Sequence, residues 1–185
     1  MNKTENLAIK ETFVLAVQNH QKNNLQVAEN LYKEVLKTKP NHADAYNNLG
    51  IVFEKLGQSQ KAMSYFKKAI EINPNHADAH YNLGKVFNEL NELQKAKGCY
   101  EKAIQINPNY VNAYNNLGTI LGELDHINEA KKNFEKSLNL DPNKKKTCEG
   151  YGNILLKLNQ HDKALAYIKK GTGFIIFTQK DCKII

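Results

Sequence analysis

The stretch NHADAYNNLGIVFEKLGQSQKAMSYFKKAIEINP, residues 41–74, decides the fold because its landmarks return along the chain at a constant step of 34 residues. A period of this length is typical of repeat architectures, in which each unit is one supersecondary element stacked on its neighbours. The recurring landmarks are Leu49-Gly50, Leu83-Gly84, Leu117-Gly118 and Tyr151-Gly152, the prolines Pro40, Pro74, Pro108 and Pro142, and the alanines Ala28, Ala62, Ala96, Ala130 and Ala164. We therefore predict five units at residues 9–42, 43–76, 77–110, 111–144 and 145–170, with a leader at residues 1–8 and a non-repeat tail at residues 171–185.

Each unit is predicted to form two helices. Apolar residues within 43–56 and within 59–72 recur at spacings of three and four, which is the stripe of an amphipathic helix. The residue between the two helices is, in every unit, of a type that tolerates the left-handed backbone of a tight turn. These residues are Asn23, Gly57, Asn91, Asp125 and Asn159. Because proline cannot continue the hydrogen-bond ladder, it ends the second helix. The predicted fold class is all-α.

The second unit resembles the tetratricopeptide repeat family. It reads Tyr46-x2-Leu49-Gly50-x2-Phe53, then Ala62-x3-Phe66, then Pro74, with tyrosine where the family has tryptophan. The resemblance covers residues 9–170 and weakens in the first and last units. It implies a right-handed superhelical solenoid of about five antiparallel helix pairs whose first helices line a concave groove. It also implies a protein–protein interaction scaffold for a protein or peptide ligand. No GxSxG, P-loop or GxGxxG motif occurs, so we expect no enzymatic activity and no cofactor.

An asparagine precedes the Leu-Gly pair in three units, at Asn48, Asn82 and Asn116. This column is similar to the asparagine ladder in the repeats of O-GlcNAc transferases, which holds an extended polypeptide. A primary amide can donate and accept hydrogen bonds, so it can pair with a peptide unit whatever the side chain of that peptide. The alternative is that these asparagines are ordinary helix-surface residues of the repeat. The column is short, because Val14 and Gly150 occupy the equivalent positions of the first and last units.

Further groove candidates, expected to set the preference for guest side chains, are Asn47, Tyr81, Lys85, Asn115 and Thr119. No recurring His, Cys, Asp or Glu spacing predicts a metal site or a catalytic group. His42 and His76 follow the Pro-Asn turns at the same repeat position, so we expect both to be solvent-exposed turn residues.

Charge and composition limit the class of partner. The chain carries 26 basic residues against 19 acidic ones, and all the basic residues are lysine. Without arginine there are no bidentate contacts to phosphate or guanine, so nucleic-acid binding is not expected. No apolar stretch is long enough for a membrane span and no signal peptide is evident. The prediction is a soluble, cytoplasmic protein.

The tail differs from the repeats. Gly171-Thr172-Gly173 followed by Phe174-Ile175-Ile176-Phe177 combines glycines with β-branched and aromatic residues, which argues against a continuing helix. This apolar end predicts homo-oligomerisation, and a self-associating structural scaffold is one alternative function. The other alternative is a substrate-recruiting arm of a larger or separately encoded enzyme of the glycosyltransferase, sulfotransferase or hydroxylase type.

Overall fold

A computed structural model describes residues 3–173, 176–177 and 182–183, and over these residues the fold is formed by ten α-helices. The helices are α1 (Lys3–Gln21), α2 (Leu25–Thr38), α3 (Ala43–Lys55), α4 (Ser59–Ile72), α5 (Ala77–Glu89), α6 (Leu93–Ile106), α7 (Val111–Glu123), α8 (Ile127–Leu140), α9 (Lys145–Lys157) and α10 (His161–Thr172). A two-residue strand β1 (Ile176–Phe177) pairs antiparallel with β2 (Cys182–Lys183). The predicted all-α fold class is confirmed, with this short strand pair as its one addition.

The chain divides into two compact units. Unit 1 spans Met1–Leu90 and contains α1 to α5, where α1 packs on α2 and α3 packs on α4 and α5. Unit 2 spans Asn91–Ile185 and contains α6 to α10, where α7 packs on α6, α8 and α9, and α10 packs on α9. α1 begins at Lys3, so the predicted leader is helical from that residue onward.

The five turn residues between paired helices adopt the left-handed conformation that their residue types predicted. Their φ angles are 62° for Asn23, 70° for Gly57, 58° for Asn91, 61° for Asp125 and 58° for Asn159. Glycine, asparagine and aspartate adopt this left-handed backbone conformation at a lower steric cost than other residues do. The prediction of left-handed turns is therefore confirmed at every position.

The glycine of the Leu-Gly pair is required by a ring from the paired second helix. A Cβ added to Gly50 would lie 2.6 Å from Cε1 of Phe66, and one added to Gly118 would lie 3.1 Å from the Phe134 ring. Both rings are almost fully buried. First and second helices thus approach closely enough to place an aromatic ring directly against a bare backbone.

The expectation that both turn histidines are solvent-exposed is wrong for His76, which is 9% exposed. Its Nδ1 accepts a hydrogen bond from the Ala79 backbone N–H, so it caps the start of α5, and its Nε2 lies 3.1 Å from an Asp44 carboxylate oxygen. A helix start leaves backbone N–H groups without intrahelical partners, which explains why the imidazole turns inward. His42 is half-buried and caps α3 in the same way through Ala45.

This cap predicts a specific pH dependence. Burial, followed by the charge of Lys39, lowers the pKa of His42 below its ordinary value. The unfolded chain therefore binds more protons, so this contribution to stability is fully present above about pH 6.5 and is lost as the pH falls below that. We expect His42→Asn, which keeps a capping side chain but does not titrate, to lose less free energy of unfolding than the wild type between about pH 7.5 and about pH 5. Urea titrations at both values measure this, and equal losses would contradict it.

The last helix extends further than the tail composition predicted. α10 continues through Thr172 and ends at Gly173, whose φ of 88° is a left-handed helix end. A Cβ on Gly171 would lie 2.9 Å from the Glu149 amide nitrogen and 2.9 Å from the Lys145 carbonyl oxygen. The expectation that the helix stops after Lys170 is wrong, because Gly171 permits close packing of α10 on α9. The side chains of the apolar segment 174–177 lie outside the described residues.

Candidate polypeptide-binding surface

In unit 1, the first helices α3 and α5 are joined by side chains of the predicted site. Asn82 donates from Nδ2 to Oδ1 of Asn47 at 3.1 Å. Lys85 donates from Nζ to Oε1 of Glu54 at 2.5 Å, which forms an ion pair between the two helices. The structure therefore brings three predicted residues, Asn47, Asn82 and Lys85, onto one junction between neighbouring first helices.

The asparagines of unit 1 differ in burial. Asn47 and Asn82 are only 5% and 7% exposed, whereas Asn48 and Tyr81 are half-buried. Asn47 also donates from Nδ2 to Oδ1 of Asn48 at 3.3 Å. The amide of Asn82 thus serves a buried contact within the chain, and Asn48 offers the more accessible amide of this unit.

Two buried polar atoms of unit 1 lie beside these side chains without a hydrogen-bond partner among the described residues, namely the Tyr32 hydroxyl and Oε2 of Glu54. Burial raises the pKa of Tyr32 to about 12, and Asn48 is near enough to offset part of that rise without reaching hydrogen-bond geometry. Buried polar groups usually have partners, so these two atoms retain unused hydrogen-bonding capacity in the interior.

Unit 2 repeats the arrangement. Asn115 donates from Nδ2 to Oδ1 of Asn116 at 3.1 Å, and Asn116 donates to the Tyr100 hydroxyl at 3.4 Å. Asn116 is half-buried, Asn115 is 8% exposed, and Thr119 is exposed with its hydroxyl bonded to the Asn115 carbonyl oxygen at 3.1 Å. In both units, therefore, a buried asparagine orients the more accessible asparagine that follows it.

A buried polar network below Asn115 was not predicted from the sequence. The Thr147 hydroxyl donates to Oδ1 of Asn115 at 3.0 Å and lies 3.1 Å from the Ser137 hydroxyl, which is 3.2 Å from the Val111 carbonyl oxygen. Ser137 and Thr147 are completely buried. The Thr147 proton goes to Asn115, and the single Ser137 proton goes either to the Thr147 hydroxyl or to the Val111 carbonyl oxygen, so the contacts join α7, α8 and α9. Ser137 and Thr147 belong to no periodic pattern of the repeat, so the sequence gives no indication of this network.

A cavity of about 260 Å³ opens on the first-helix side of unit 2, between α7 and α9. Its lining consists of Gly118, Thr119, Gly122, Glu123, Phe134, Gly150, Asn153, Ile154 and Lys157. Lys157 spans the two helices by donating from Nζ to the Gly122 carbonyl oxygen at 3.0 Å. Thr119 is the predicted site residue that lines this cavity. Gly150 lines it at the position where the asparagine column ends.

Within the described part of the chain, no group of three His, Cys, Asp or Glu residues could hold a metal ion. None of the helices described is both long enough and apolar enough to cross a bilayer.

Comparison with family models identifies the repeats. Models described as tetratricopeptide repeat match residues 43–76, 77–110, 99–132 and 146–173, and a model described as TPR repeat matches residues 19–57. The chain belongs to the tetratricopeptide repeat family. The matched ranges cover most of the chain, including the fifth unit, whose motif has decayed. None of the curated proteins compared with the chain matches it.

Solved structures with the same solenoid fold cover most of the chain. A MamA structure is 26% identical, with a TM-score of 0.75, and the match covers 85% of this chain and 92% of MamA. PilF of Pseudomonas aeruginosa is 24% identical, with a TM-score of 0.84, and the match covers 92% of this chain and 78% of PilF. YrrB is 23% identical, with a TM-score of 0.72, and the match covers 91% of this chain and 90% of YrrB. These likenesses confirm the predicted tetratricopeptide solenoid.

Proposed function

We propose that this tetratricopeptide repeat protein is an interaction scaffold that binds an extended polypeptide along its first helices. The observation that carries the proposal is the paired asparagine arrangement: Asn47 orients Asn48 in unit 1, and Asn115 orients Asn116 in unit 2. A buried amide that holds a more accessible amide in place reduces the entropy lost when a guest binds. The repeat family supports this function, as does the fold shared with YrrB, which is described as a TPR protein with an unusual peptide-binding site.

The accessible asparagines suit a backbone partner. A primary amide pairs with both the N–H and the C=O of a peptide unit, whereas the charged pair of Glu54 and Lys85 offers contacts to guest side chains. Neighbouring helices pack roughly 8–10 Å apart and an extended peptide advances about 3.3 Å per residue, so a guest would advance about three residues from one first helix to the next within a unit. In this function the main role of Asn82 is to keep Asn47 in position through the hydrogen bond to its Oδ1.

The test uses peptides selected from a phage-displayed random library against the full chain. We expect Asn48→Ala and Asn116→Ala each to weaken binding of a selected peptide by roughly 2- to 12-fold, since one net hydrogen bond contributes about 0.5–1.5 kcal/mol. Titration calorimetry measures the affinity, and the loss should be similar for two peptides of unrelated sequence because the contact is to backbone.

Matched controls come from exposed asparagines on second helices. Asn30 in α2 and Asn139 in α8 are exposed, so Asn30→Ala and Asn139→Ala should leave the affinity unchanged. Equal affinities for wild type, Asn48→Ala and Asn116→Ala, with helical circular dichroism retained, would refute the proposal.

A further inference from the structure

The Tyr32 hydroxyl in unit 1 is a buried polar group that the fold leaves unused. Tyr32 is completely buried, and its hydroxyl has no hydrogen-bond partner among the described residues. A buried hydroxyl without a partner destabilises the free protein, and a phenylalanine ring would avoid that cost. Phenylalanine does occupy the equivalent position of the next repeat, at Phe66. The stability of the free chain therefore does not explain why residue 32 is tyrosine.

Unit 2 shows which partner suits a hydroxyl at this position. The equivalent residue is Tyr100, and Asn116, sixteen residues further along the chain, donates from Nδ2 to its hydroxyl at 3.4 Å. In unit 1 the residue at the same separation from Tyr32 is Asn48. Burial raises the pKa of Tyr32 to about 12 and the nearby Asn48 amide opposes that rise, yet the two side chains stop short of a hydrogen bond. Both units thus contain the same pair, bonded in unit 2 and unbonded in unit 1.

A third pair of the same spacing lacks the hydroxyl. Asn82 follows Phe66 by sixteen residues, is 7% exposed and donates to Oδ1 of Asn47 at 3.1 Å. A phenyl ring offers no hydroxyl oxygen to an amide, and the Asn82 amide is used within the chain. Tyrosine therefore accompanies the two half-buried asparagines of the column, Asn48 and Asn116, whereas phenylalanine accompanies the buried one.

The hydrogen-bonding capacity of Asn48 matches one peptide unit of a guest once a bond to Tyr32 forms. A primary amide has two N–H donors and an oxygen with two lone pairs. Asn47 donates to Oδ1 of Asn48 at 3.3 Å and so uses one lone pair. A bond from Nδ2 of Asn48 to the Tyr32 hydroxyl would use one donor. One donor and one lone pair then remain, which is what the C=O and the N–H of a peptide unit require.

We propose that Tyr32 is a positioning residue for guest binding, and that the Asn48 amide donates to its hydroxyl only when a guest peptide unit is bound. The guest draws the Asn48 amide into line between its own backbone and the Tyr32 oxygen. Tyr32 itself stays buried and does not contact the guest. The inference rests on the polypeptide-binding function proposed above and adds to it a residue that acts through Asn48.

The test compares Tyr32→Phe with the wild type in two measurements on the full chain. Without a guest, this variant should leave the urea midpoint of unfolding unchanged or raise it, because it removes an unpartnered buried hydroxyl. With a peptide selected from the phage-displayed library, the same variant should weaken binding by roughly 2- to 12-fold in titration calorimetry, since one net hydrogen bond of the complex is lost. In an Asn48→Ala background, Tyr32→Phe should leave the affinity unchanged.

Two other tyrosines provide controls. Tyr100→Phe should lower the urea midpoint, because the Tyr100 hydroxyl already accepts a hydrogen bond from Asn116 without a guest. Tyr151→Phe should lower it as well, since the Tyr151 hydroxyl donates to Oε1 of Glu135 at 2.8 Å. That contact involves no asparagine of the column, so Tyr151→Phe should bind the peptide as the wild type does. Loss of a tyrosine hydroxyl bond by itself would then not account for weaker binding.

Three outcomes would overturn the inference. A lower urea midpoint for guest-free Tyr32→Phe would show that a buried water or another group already satisfies the hydroxyl. Equal affinities for Tyr32→Phe and the wild type, with Asn48→Ala still weakening binding, would exclude Tyr32 and leave the scaffold function standing. A full loss from Tyr32→Phe in the Asn48→Ala background would show that the hydroxyl acts on the fold and not through Asn48. If Tyr32→Phe, Asn48→Ala and Asn116→Ala all bind as the wild type does, the proposed function fails too.

Discussion

Replacing Phe66 with alanine is expected to lower the free energy of unfolding by about 3–5 kcal/mol. The ring is completely buried and lies against the bare backbone of Gly50. Its removal costs the transfer free energy of the ring and also leaves a cavity that the rigid helix pair of α3 and α4 cannot close. Urea unfolding followed by circular dichroism measures the change. An unchanged dependence of the unfolding free energy on urea concentration would show that both proteins unfold in a similar transition.

A double-mutant cycle with Gly50 makes this prediction specific. In the wild-type background Gly50→Ala should destabilise by about 1–3 kcal/mol, because the new Cβ would lie 2.6 Å from the Phe66 ring. In the Phe66→Ala background the same change should be neutral or stabilising by up to about 1 kcal/mol, since alanine is the better helix former. The sign of the effect of Gly50→Ala therefore depends on the ring.

Gly98 provides the matched control. It lies inside α6, and a Cβ at this position would meet nothing within 4 Å. Gly98→Ala should therefore stabilise the protein by about 0.5–1 kcal/mol. Additive effects of Gly50→Ala and Phe66→Ala on the free energy of unfolding would show that the Phe66 ring is not the reason for glycine at position 50.

Replacing Thr147 with valine is expected to cost about 1–3 kcal/mol of unfolding free energy although the two side chains have nearly the same shape. The change removes the donor to Oδ1 of Asn115, which is 8% exposed and accepts its bond from this hydroxyl. It also leaves the Ser137 hydroxyl with the Val111 carbonyl oxygen as its remaining partner. The cost comes from a buried acceptor that water cannot reach.

The control for this change is Thr38→Val at the exposed end of α2, which should alter stability by less than about 0.5 kcal/mol. In an Asn115→Ala background, Thr147→Val should cost clearly less, because the orphaned acceptor is already absent. If Thr147→Val lowers the unfolding free energy as much in that background as in the wild type, its effect does not come from the lost hydrogen bond to Asn115.

Much of the fold followed from local signals. Asn23, Asn91, Asp125 and Asn159 predicted left-handed turns because the constraint acts within one residue, and the structure has φ angles near 60° at each of them. The constant spacing of 34 residues identified the repeat, and the family models match it through residue 173. Pro74 and its equivalents predicted helix ends for a similar reason, since the missing N–H is a property of the residue alone.

The candidate site could be predicted only as columns of residues. The sequence placed Asn47 and Asn48, or Asn115 and Asn116, in adjacent columns. It did not reveal that the first of each pair is buried and donates to the second. Burial depends on how closely α3 approaches α5, or α7 approaches α9, and that distance is the sum of many side-chain contacts. For the same reason the inward turn of His76 toward Asp44 was missed.

What the sequence determined by itself is the set of features that act within one residue or one helical turn, namely the helices, their left-handed turns and their proline ends. It also determined the family, because these features recur at a constant step of 34 residues. The tertiary structure alone decided which glycines face rings, that Gly171 continues α10 against α9, and that Thr147 completes a network with Asn115 and Ser137. It also decided that the Phe134 ring lies against the bare backbone of Gly150, the glycine at which the asparagine column ends. These features depend on distances between residues of different helices, which no local pattern encodes.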